Sequence, residues 1–199
     1  MIPVDARLEP RDFERKVRTR GIRSMRRKRI DPNVPLPAGQ TLSPFWRECL
    51  DDLYREYNQT CAYLAVRIER AVGGVTADHF VAKSKLPGQA YEWMNFRLAS
   101  AIVNARKCDF EDVLDPFVLP AGWFRLELVT GQVYPSSDID AADMTRVVKT
   151  IERVGLDNSI NREMRARHFQ EYCQRDITAN FLQRYSPFVH AEAERQGLL

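Results

Sequence analysis

The sequence VTADHF at residues 75–80 is a short run of strand-forming residues that ends in an acid and an imidazole. A polar loop with Pro87 and Gly88 follows it, and the chain then offers a short extended piece over 93–98 and a short helix over 99–107. β-Branched and aromatic residues bounded by turn formers predict strands, and apolar residues spaced three or four apart predict a helix. This stretch therefore predicts two short strands and a helix, with polar side chains gathered where the first strand ends.

Helical patterns dominate the chain on both sides of this stretch. The other predicted elements are helices over 10–29, 43–57, 140–154 and 161–184, a last helix from Pro187, a strand over 61–69 and a hairpin over 123–134. A small β-rich centre with helices before and after it is typical of an α+β fold in which helix exceeds strand.

The domain organisation follows from the length and from one Pro-rich segment. A chain of 199 residues suits one domain with an extension. The segment DPNVPLPAG at 31–39 predicts an extended, non-helical linker. We therefore expect residues 1–40 to form an arm and linker, and 41–199 to form the main domain. Within that domain we expect a β-rich core over about 60–110 and a helical part over 138–199.

The charge of the chain is uneven. The first 30 residues hold eleven Lys and Arg against four acids, which gives this segment a net charge of +7. The overall net charge is +3, so residues 31–199 carry a net charge of −4. A basic arm on a slightly acidic body indicates an anionic partner, most simply nucleic acid. The alternative is a charged helix that docks on a partner protein. The arm residues expected to bind nucleic acid are Arg23, Arg26, Arg27, Lys28 and Arg29.

Several classes of protein are excluded at this stage. No run of about 18 apolar residues is present, so we expect no membrane span. The first residues lack the apolar segment of a secretory signal, and the four cysteines form no CxxC pair. Buried, reduced thiols in a cytoplasmic protein are the simplest interpretation.

Three short motifs occur in a fixed order: Asp-His at 78–79, Trp-x-Asn at 93–95 and Asn-x-x-Lys at 104–107. Together they resemble the HNH endonuclease superfamily, which is built on a ββα-metal core. LDPF at 114–117 and TIERVGLDN at 150–158 further resemble a bacterial branch that includes nuclease subunits of Septu-type and retron-linked antiphage systems. The motif resemblance covers residues 60–117, and the weaker branch resemblance extends it to 170.

The resemblance implies a role for each motif residue. Asp78 and Asn104 would be metal ligands, His79 the general base and Asn95 the residue that orients the histidine loop. Oxygen donors of this kind suit Mg²⁺ or Mn²⁺, which can polarise a phosphate. Lys107 would lie one helical turn away, near the phosphate. Lys83 and Lys85, in the loop after the histidine, join the arm as expected nucleic-acid-binding residues.

One point of geometry constrains this interpretation. Adjacent residues of a strand point to opposite faces, so Asp78 and His79 cannot both face one site from within a regular strand. The strand must therefore end or distort at this point.

The sequence departs from the branch at its zinc positions. Many members of that branch carry two CxxC pairs. Here Cys61 keeps the first position, Leu64 stands where the second cysteine would be, and Ser100 and Val103 occupy the positions of the second pair. One of four thiols remains, so we expect no structural zinc.

The resemblance implies a metal-dependent endonuclease that acts on nucleic acid, DNA in preference to RNA, in antiphage defence beside an ATPase subunit. Two alternatives stay open. The chain could be a catalytically silent nucleic-acid-binding or interaction module on the same fold, or a regulatory subunit that assists the ATPase. Each motif residue could also have a purely structural role: Asp78 could cap the end of a strand, Asn95 could be a turn residue, and Asn104 could lie on the surface of a helix.

Overall fold

The protein is described by a computed structural model covering residues 1–71 and 73–199. The fold is α+β with more helix than strand, as the sequence predicted. The chain divides into two compact units. One comprises Ala6–Gln59 and Glu69–Glu111 and is called the site unit. The other comprises Met1–Asp5, Thr60–Ile68 and Asp112–Leu199 and is called the hairpin unit. This division differs from the expected arm over 1–40 and domain over 41–199.

The site unit begins with helices and ends with the strand–strand–helix segment. Its elements are a π-helical segment Glu14–Arg18, α1 (Thr19–Arg27), a 3-10 helix Phe45–Cys49, α2 (Leu50–Glu56), β1 (Val75–His79), 3-10 turns Pro87–Gln89 and Trp93–Asn95, β2 (Phe96–Ser100) and α3 (Ala101–Lys107).

Strands β1 and β2 pair antiparallel, with Val75 opposite Ser100 and His79 opposite Phe96. Helix α3 follows β2 directly because the Ser100 hydroxyl accepts a hydrogen bond from the Val103 N–H and caps the helix. The two strands and the helix predicted from 75–107 are therefore present.

The N-terminal helix is part of the core of the site unit and not a separate arm. Phe13 makes edge-to-face contacts with Trp93 and Phe96, with ring centroids 5.5 Å and 5.9 Å apart. Gly21 of α1 lies against the Tyr91 ring so closely that a Cβ there would stand 2.2 Å from the ring. One face of the segment is buried by these contacts, while its basic residues point outward.

The Pro-rich segment 31–39 also contacts the rest of its unit. The Leu36 N–H donates to the Ser84 carbonyl at 2.7 Å, and the Gly88 N–H donates to the Pro32 carbonyl at 2.8 Å. The linker therefore runs along the loop that joins β1 to β2. The sequence predicted its extended character but not these partners.

The hairpin unit holds the remaining elements. They are β3 (Phe124–Leu126), β4 (Val133–Pro135), α4 (Ala141–Val154), α5 (Ser159–Cys173), α6 (Ala179–Tyr185) and α7 (Pro187–Arg195). Strands β3 and β4 pair antiparallel, which confirms the predicted hairpin. The buried Arg165 of α5 donates to the carbonyls of Gly131 and Leu156, which ties the hairpin turn to the helices.

Two predicted elements were wrong. The single helix over 161–184 is two helices, because Arg175 takes a left-handed conformation and the Thr178 hydroxyl caps a new helix. The strand over 61–69 is a tight loop with one isolated bridge between Thr60 and Arg67. Ala65 is left-handed there, and its N–H bonds to the Cys61 carbonyl, so the chain reverses instead of extending.

No helix among residues 1–71 and 73–199 combines the length and apolarity needed to cross a membrane.

Candidate active site

Strand β1, the loop after it, one side of α3 and residues 46–50 line a cavity of about 730 Å³ in the site unit. Four residues expected from the sequence line it: Asp78, His79, Lys83 and Asn104. Residues of the first and third motifs, which lie far apart in the chain, thus line the same cavity, whereas Asn95 and Lys107 do not line it.

His79 has a defined orientation. Its Nε2 lies 3.0 Å from the Ala90 carbonyl oxygen. Because a carbonyl only accepts hydrogen bonds, this contact assigns the proton to Nε2 and leaves Nδ1 as the basic nitrogen. The imidazole also meets the rings of Trp46 and Phe96 edge-on, at centroid distances of 4.8 Å and 5.1 Å.

The electrostatic surroundings keep His79 neutral. Burial, together with the positive charges of Lys83 and Lys107, lowers the pKa of the imidazole to about 3, against the raising effect of the Ala90 hydrogen bond. The side chain is therefore a neutral imidazole at physiological pH.

Asn95 holds the two ends of the loop that carries the cavity wall. Its Nδ2 donates to the carbonyls of Val81 and Gln89, and its Oδ1 accepts from the Val81 N–H at 2.8 Å. Its own carbonyl accepts from the Phe80 N–H at 2.9 Å. These four bonds fix the backbone beside His79, which is what the predicted orienting role requires.

Lys107 does not lie where the sequence predicted. It is fully buried, and its ammonium pairs with the Asp78 carboxylate at 3.4 Å. The same ammonium donates to the carbonyls of His79 and Phe80 at 3.1 Å and 3.0 Å. A lysine enclosed in this way braces the strand end, so its predicted contact with a phosphate is replaced by a structural role.

The geometry of the strand end resolves how adjacent residues serve one cavity. Asp78 and His79 both lie within β1, which pairs regularly with β2 as far as His79, so the expected break of the strand before the two residues is absent. Asp78 points toward Lys107 of α3, whereas His79 meets Trp46 and Phe96. The two side chains thus reach different walls of the same cavity.

Asn104 completes the set of expected metal ligands. It is half-buried on α3, and within the described chain its side-chain amide makes no hydrogen bond. A carboxylate and a free amide oxygen on one cavity are the hard donors that Mg²⁺ and Mn²⁺ prefer, so the residues present fit such an ion. Among the residues that the structure describes, no group of three or more His, Cys, Asp or Glu side chains is placed to hold a metal.

The basic residues divide into paired and unpaired sets. Near the start of the helical segment, Arg15 and Lys16 pair with Asp12, and Arg18 pairs with Glu9, Glu14 and Glu92. In the described part of the chain, four exposed arginines near the end of α1 pair with no carboxylate: Arg23, Arg26, Arg27 and Arg29. The positive charge of α1 is therefore concentrated in its last turns and the residues just after them.

The other expected nucleic-acid-binding lysines have specific contacts. Lys28 donates to the Thr41 carbonyl at 2.7 Å, and Lys85 pairs with Glu111 at 3.4 Å. Lys83 lies with its ammonium 5.4 Å from the centre of the Trp46 ring, at the cavity. Of these three, Lys83 is the cation that faces the candidate site.

Trp46 and Cys108 are among the residues of the cavity wall that sequence reasoning did not assign to the site. Trp46 stands more than thirty positions before Asp78 in the sequence. Cys108, which follows α3 with φ of 48°, is exposed and lines the cavity. Neither is part of a motif, so only the fold brings them to the site.

A scan of the chain against models of known protein families finds no match, and a search among curated proteins finds none either.

Proposed function

We propose that the protein is a metal-dependent endonuclease of HNH type that hydrolyses phosphodiester bonds of nucleic acid, DNA in preference to RNA. The observation that carries the proposal is the arrangement around His79. Its Nε2 is held by the Ala90 carbonyl, and the imidazole shares one cavity with the oxygen donors of Asp78 and Asn104.

His79 acts as general base. The basic Nδ1 takes a proton from a water molecule, whose oxygen bonds to phosphorus while the bond to the leaving nucleoside oxygen breaks. The Ala90 carbonyl accepts from Nε2 throughout and stabilises the imidazolium that forms. A bound phosphate raises the pKa of the imidazole by its negative charge, which favours the proton transfer.

Asp78 and Asn104 would hold Mg²⁺ or Mn²⁺. Such an ion supplies Lewis-acid stabilisation of the negative charge that develops on phosphate oxygens. Lys83 adds a cation at the cavity, and the arginines at the end of α1 attract the polyanionic backbone without reading its sequence.

The test is cleavage of supercoiled plasmid, single-stranded DNA and RNA with Mg²⁺ or Mn²⁺. Wild type is compared with His79→Ala, with EDTA added in parallel. His190→Ala is the matched control, because His190 lies in the hairpin unit. We expect metal-dependent nicking by wild type and by the control, and none by His79→Ala. Cleavage that survives His79→Ala would overturn the assignment.

A second candidate function is a silent nucleic-acid-binding module. The observation that favours it is the Asp78–Lys107 ion pair, which occupies the carboxylate expected to bind metal. This candidate predicts DNA binding without cleavage in either metal, and no effect of Mn²⁺ on thermal stability.

The family resemblance extends the proposal to antiphage defence beside an ATPase. An always-active nuclease would damage its host, so this context predicts that a partner restrains cleavage. Unrestrained plasmid degradation by the purified protein alone would contradict such restraint.

A further inference from the structure

The Trp46 side chain packs against the His79 ring at the cavity. It lies in the 3-10 helix Phe45–Cys49, is half-buried, and lines the cavity that holds His79. Its ring meets the imidazole at 89° with centroids 4.8 Å apart. Phe96 meets the same imidazole at 86° and 5.1 Å. The histidine ring is thus bounded by two aromatic rings and one hydrogen bond.

The same tryptophan also contacts the cation of the cavity. The Lys83 ammonium lies 5.4 Å from the Trp46 ring centroid, a distance at which the ring's electrons attract a cation. One side chain therefore contacts the proposed base and lies beside the ammonium of Lys83 at the same cavity.

The segment that carries Trp46 is itself anchored to α1. The Ser24 and Ser43 hydroxyls are hydrogen-bonded at 2.8 Å, and the Arg20 guanidinium stacks over the Phe45 ring at 4.4 Å. The Cys49 thiol donates to the Trp46 carbonyl at 3.2 Å. Trp46 is consequently held from its backbone as well as through its ring.

From these contacts we infer that Trp46 is a positioning residue, which fixes the ring of His79 and the ammonium of Lys83 at one wall of the site. The inference rests on the proposed function. An imidazole with a single hydrogen bond retains freedom to turn about its side-chain torsions, and edge-to-face packing removes that freedom. A base misplaced by about 1 Å loses up to about 100-fold in rate.

The experiment compares Trp46→Phe and Trp46→Leu with wild type in the full chain. Phenylalanine keeps a ring beside His79 and Lys83, whereas leucine removes it. Trp123→Leu is the matched control, because Trp123 lies in the hairpin unit and stacks with Arg146. Folding is verified first by thermal denaturation, and Trp46→Met replaces the leucine variant if that variant does not fold.

Two readouts separate positioning from general packing. The first is plasmid nicking, where we expect Trp46→Leu to lower kcat about 10- to 100-fold with KM nearly unchanged, and Trp46→Phe to stay close to wild type. The second is the ¹⁵N chemical shifts of the His79 ring in the free protein. We expect one tautomer, protonated at Nε2, in wild type and an averaged mixture in Trp46→Leu.

The two readouts also separate this inference from the proposed function. If wild type does not cleave, the proposed function fails, and the ring shifts still decide whether Trp46 orients His79. Unchanged ring shifts in Trp46→Leu would overturn the positioning role whatever the activity. A loss of kcat equal in Trp46→Phe and Trp46→Leu would also overturn it, since the ring would then not be the determinant.

Discussion

Lys107 and Asp78 form an ion pair at 3.4 Å with almost no exposure of either side chain. The ammonium also bonds to two carbonyls at the end of β1, so one lysine joins the last turn of α3 to the strand that carries His79. A buried pair of this kind is costly to break, because the remaining charge stays in the interior without its partner.

We therefore predict that Lys107→Met lowers the free energy of unfolding by about 3–5 kcal/mol. Arg106→Met, on the exposed side of the same helix, is the control and should change it by less than about 0.5 kcal/mol. The double variant Asp78→Asn/Lys107→Met should recover part of the loss. Urea denaturation measures all three, and equal stability of the two single variants would contradict the prediction.

We predict that the Asn104 side chain contributes to metal binding but not to the stability of the metal-free protein. Its amide makes no side-chain hydrogen bond within the described chain, and alanine is the better helix former. We expect Asn104→Ala to match or slightly exceed wild type in metal-free stability, while losing Mn²⁺-dependent nicking and the rise in Tm that Mn²⁺ produces. Arg106→Ala should retain both, and a Mn²⁺-induced rise that persists in Asn104→Ala would exclude it as a ligand.

The unpaired arginines of α1 should set the salt dependence of DNA binding. Each phosphate contact contributes about 0.9 to the slope of log affinity against log salt for duplex DNA. Arg26→Gln/Arg27→Gln should lower that slope by about 2. The control is Arg15→Gln/Arg55→Gln, which removes two charges already paired with Asp12 and Asp52. Fluorescence anisotropy over a KCl series gives the slopes. Identical slopes for Arg26→Gln/Arg27→Gln and wild type would mean that these arginines of α1 do not contact the DNA backbone.

Gly21→Ala should destabilise the protein although alanine favours helices. Helix propensity alone predicts a gain of about 1 kcal/mol. The new Cβ would stand 2.2 Å from the Tyr91 ring, so the helix or the ring must shift, at a cost of about 1–3 kcal/mol. Thermal denaturation beside Arg23→Ala, an exposed change in the same helix, measures the balance. A higher Tm for Gly21→Ala would show that α1 can move away from Tyr91.

His168 should make the protein sensitive to acid. Burial lowers the pKa of its imidazole, while Glu171 raises it and Arg167 lowers it by smaller amounts. The folded state therefore resists the proton that the unfolded state takes up near pH 6.5. The stability is thus fully present above about pH 6.5 and is lost as the pH falls through the lower folded value. We expect His168→Gln to lose less stability between pH 7 and pH 5 than wild type.

The comparison for this prediction is His190→Gln, whose side chain makes no hydrogen bond within the described chain. His79 is present in all three proteins, so its contribution to the pH dependence of stability cancels in the comparison. Parallel losses of stability in wild type and His168→Gln would mean that His168 does not titrate with unfolding.

The sequence located β1, β2 and α3 approximately, because strand formers, a loop and helical spacing encode them locally. Trp93–Asn95 of the predicted extended piece is a 3-10 turn, and β2 runs to Ser100, within the predicted helix. The sequence also proposed Asp78, His79 and Asn104 as site residues, and the fold brings these three to one cavity. Prediction from the sequence failed where contacts between residues far apart in the chain determine the structure. The strand-like composition of 61–69 is overridden by a reversal at Ala65, and nothing near Lys107 signals that the lysine is enclosed. Gly21 and Tyr91 are seventy positions apart in the chain, so the sequence gives no sign of their contact. For this reason the sequence predicted α1 as part of a separate arm.

The division of the chain into units has a consequence for biosynthesis. The hairpin unit includes Met1–Asp5 together with Asp112–Leu199, and the Val4 N–H donates to the Pro116 carbonyl at 2.9 Å. During translation the site unit is complete once Glu111 has left the ribosome, whereas residues 1–5 must wait for partners made later. We expect the proposed nuclease site to form on the ribosome before the first residues of the chain are secured.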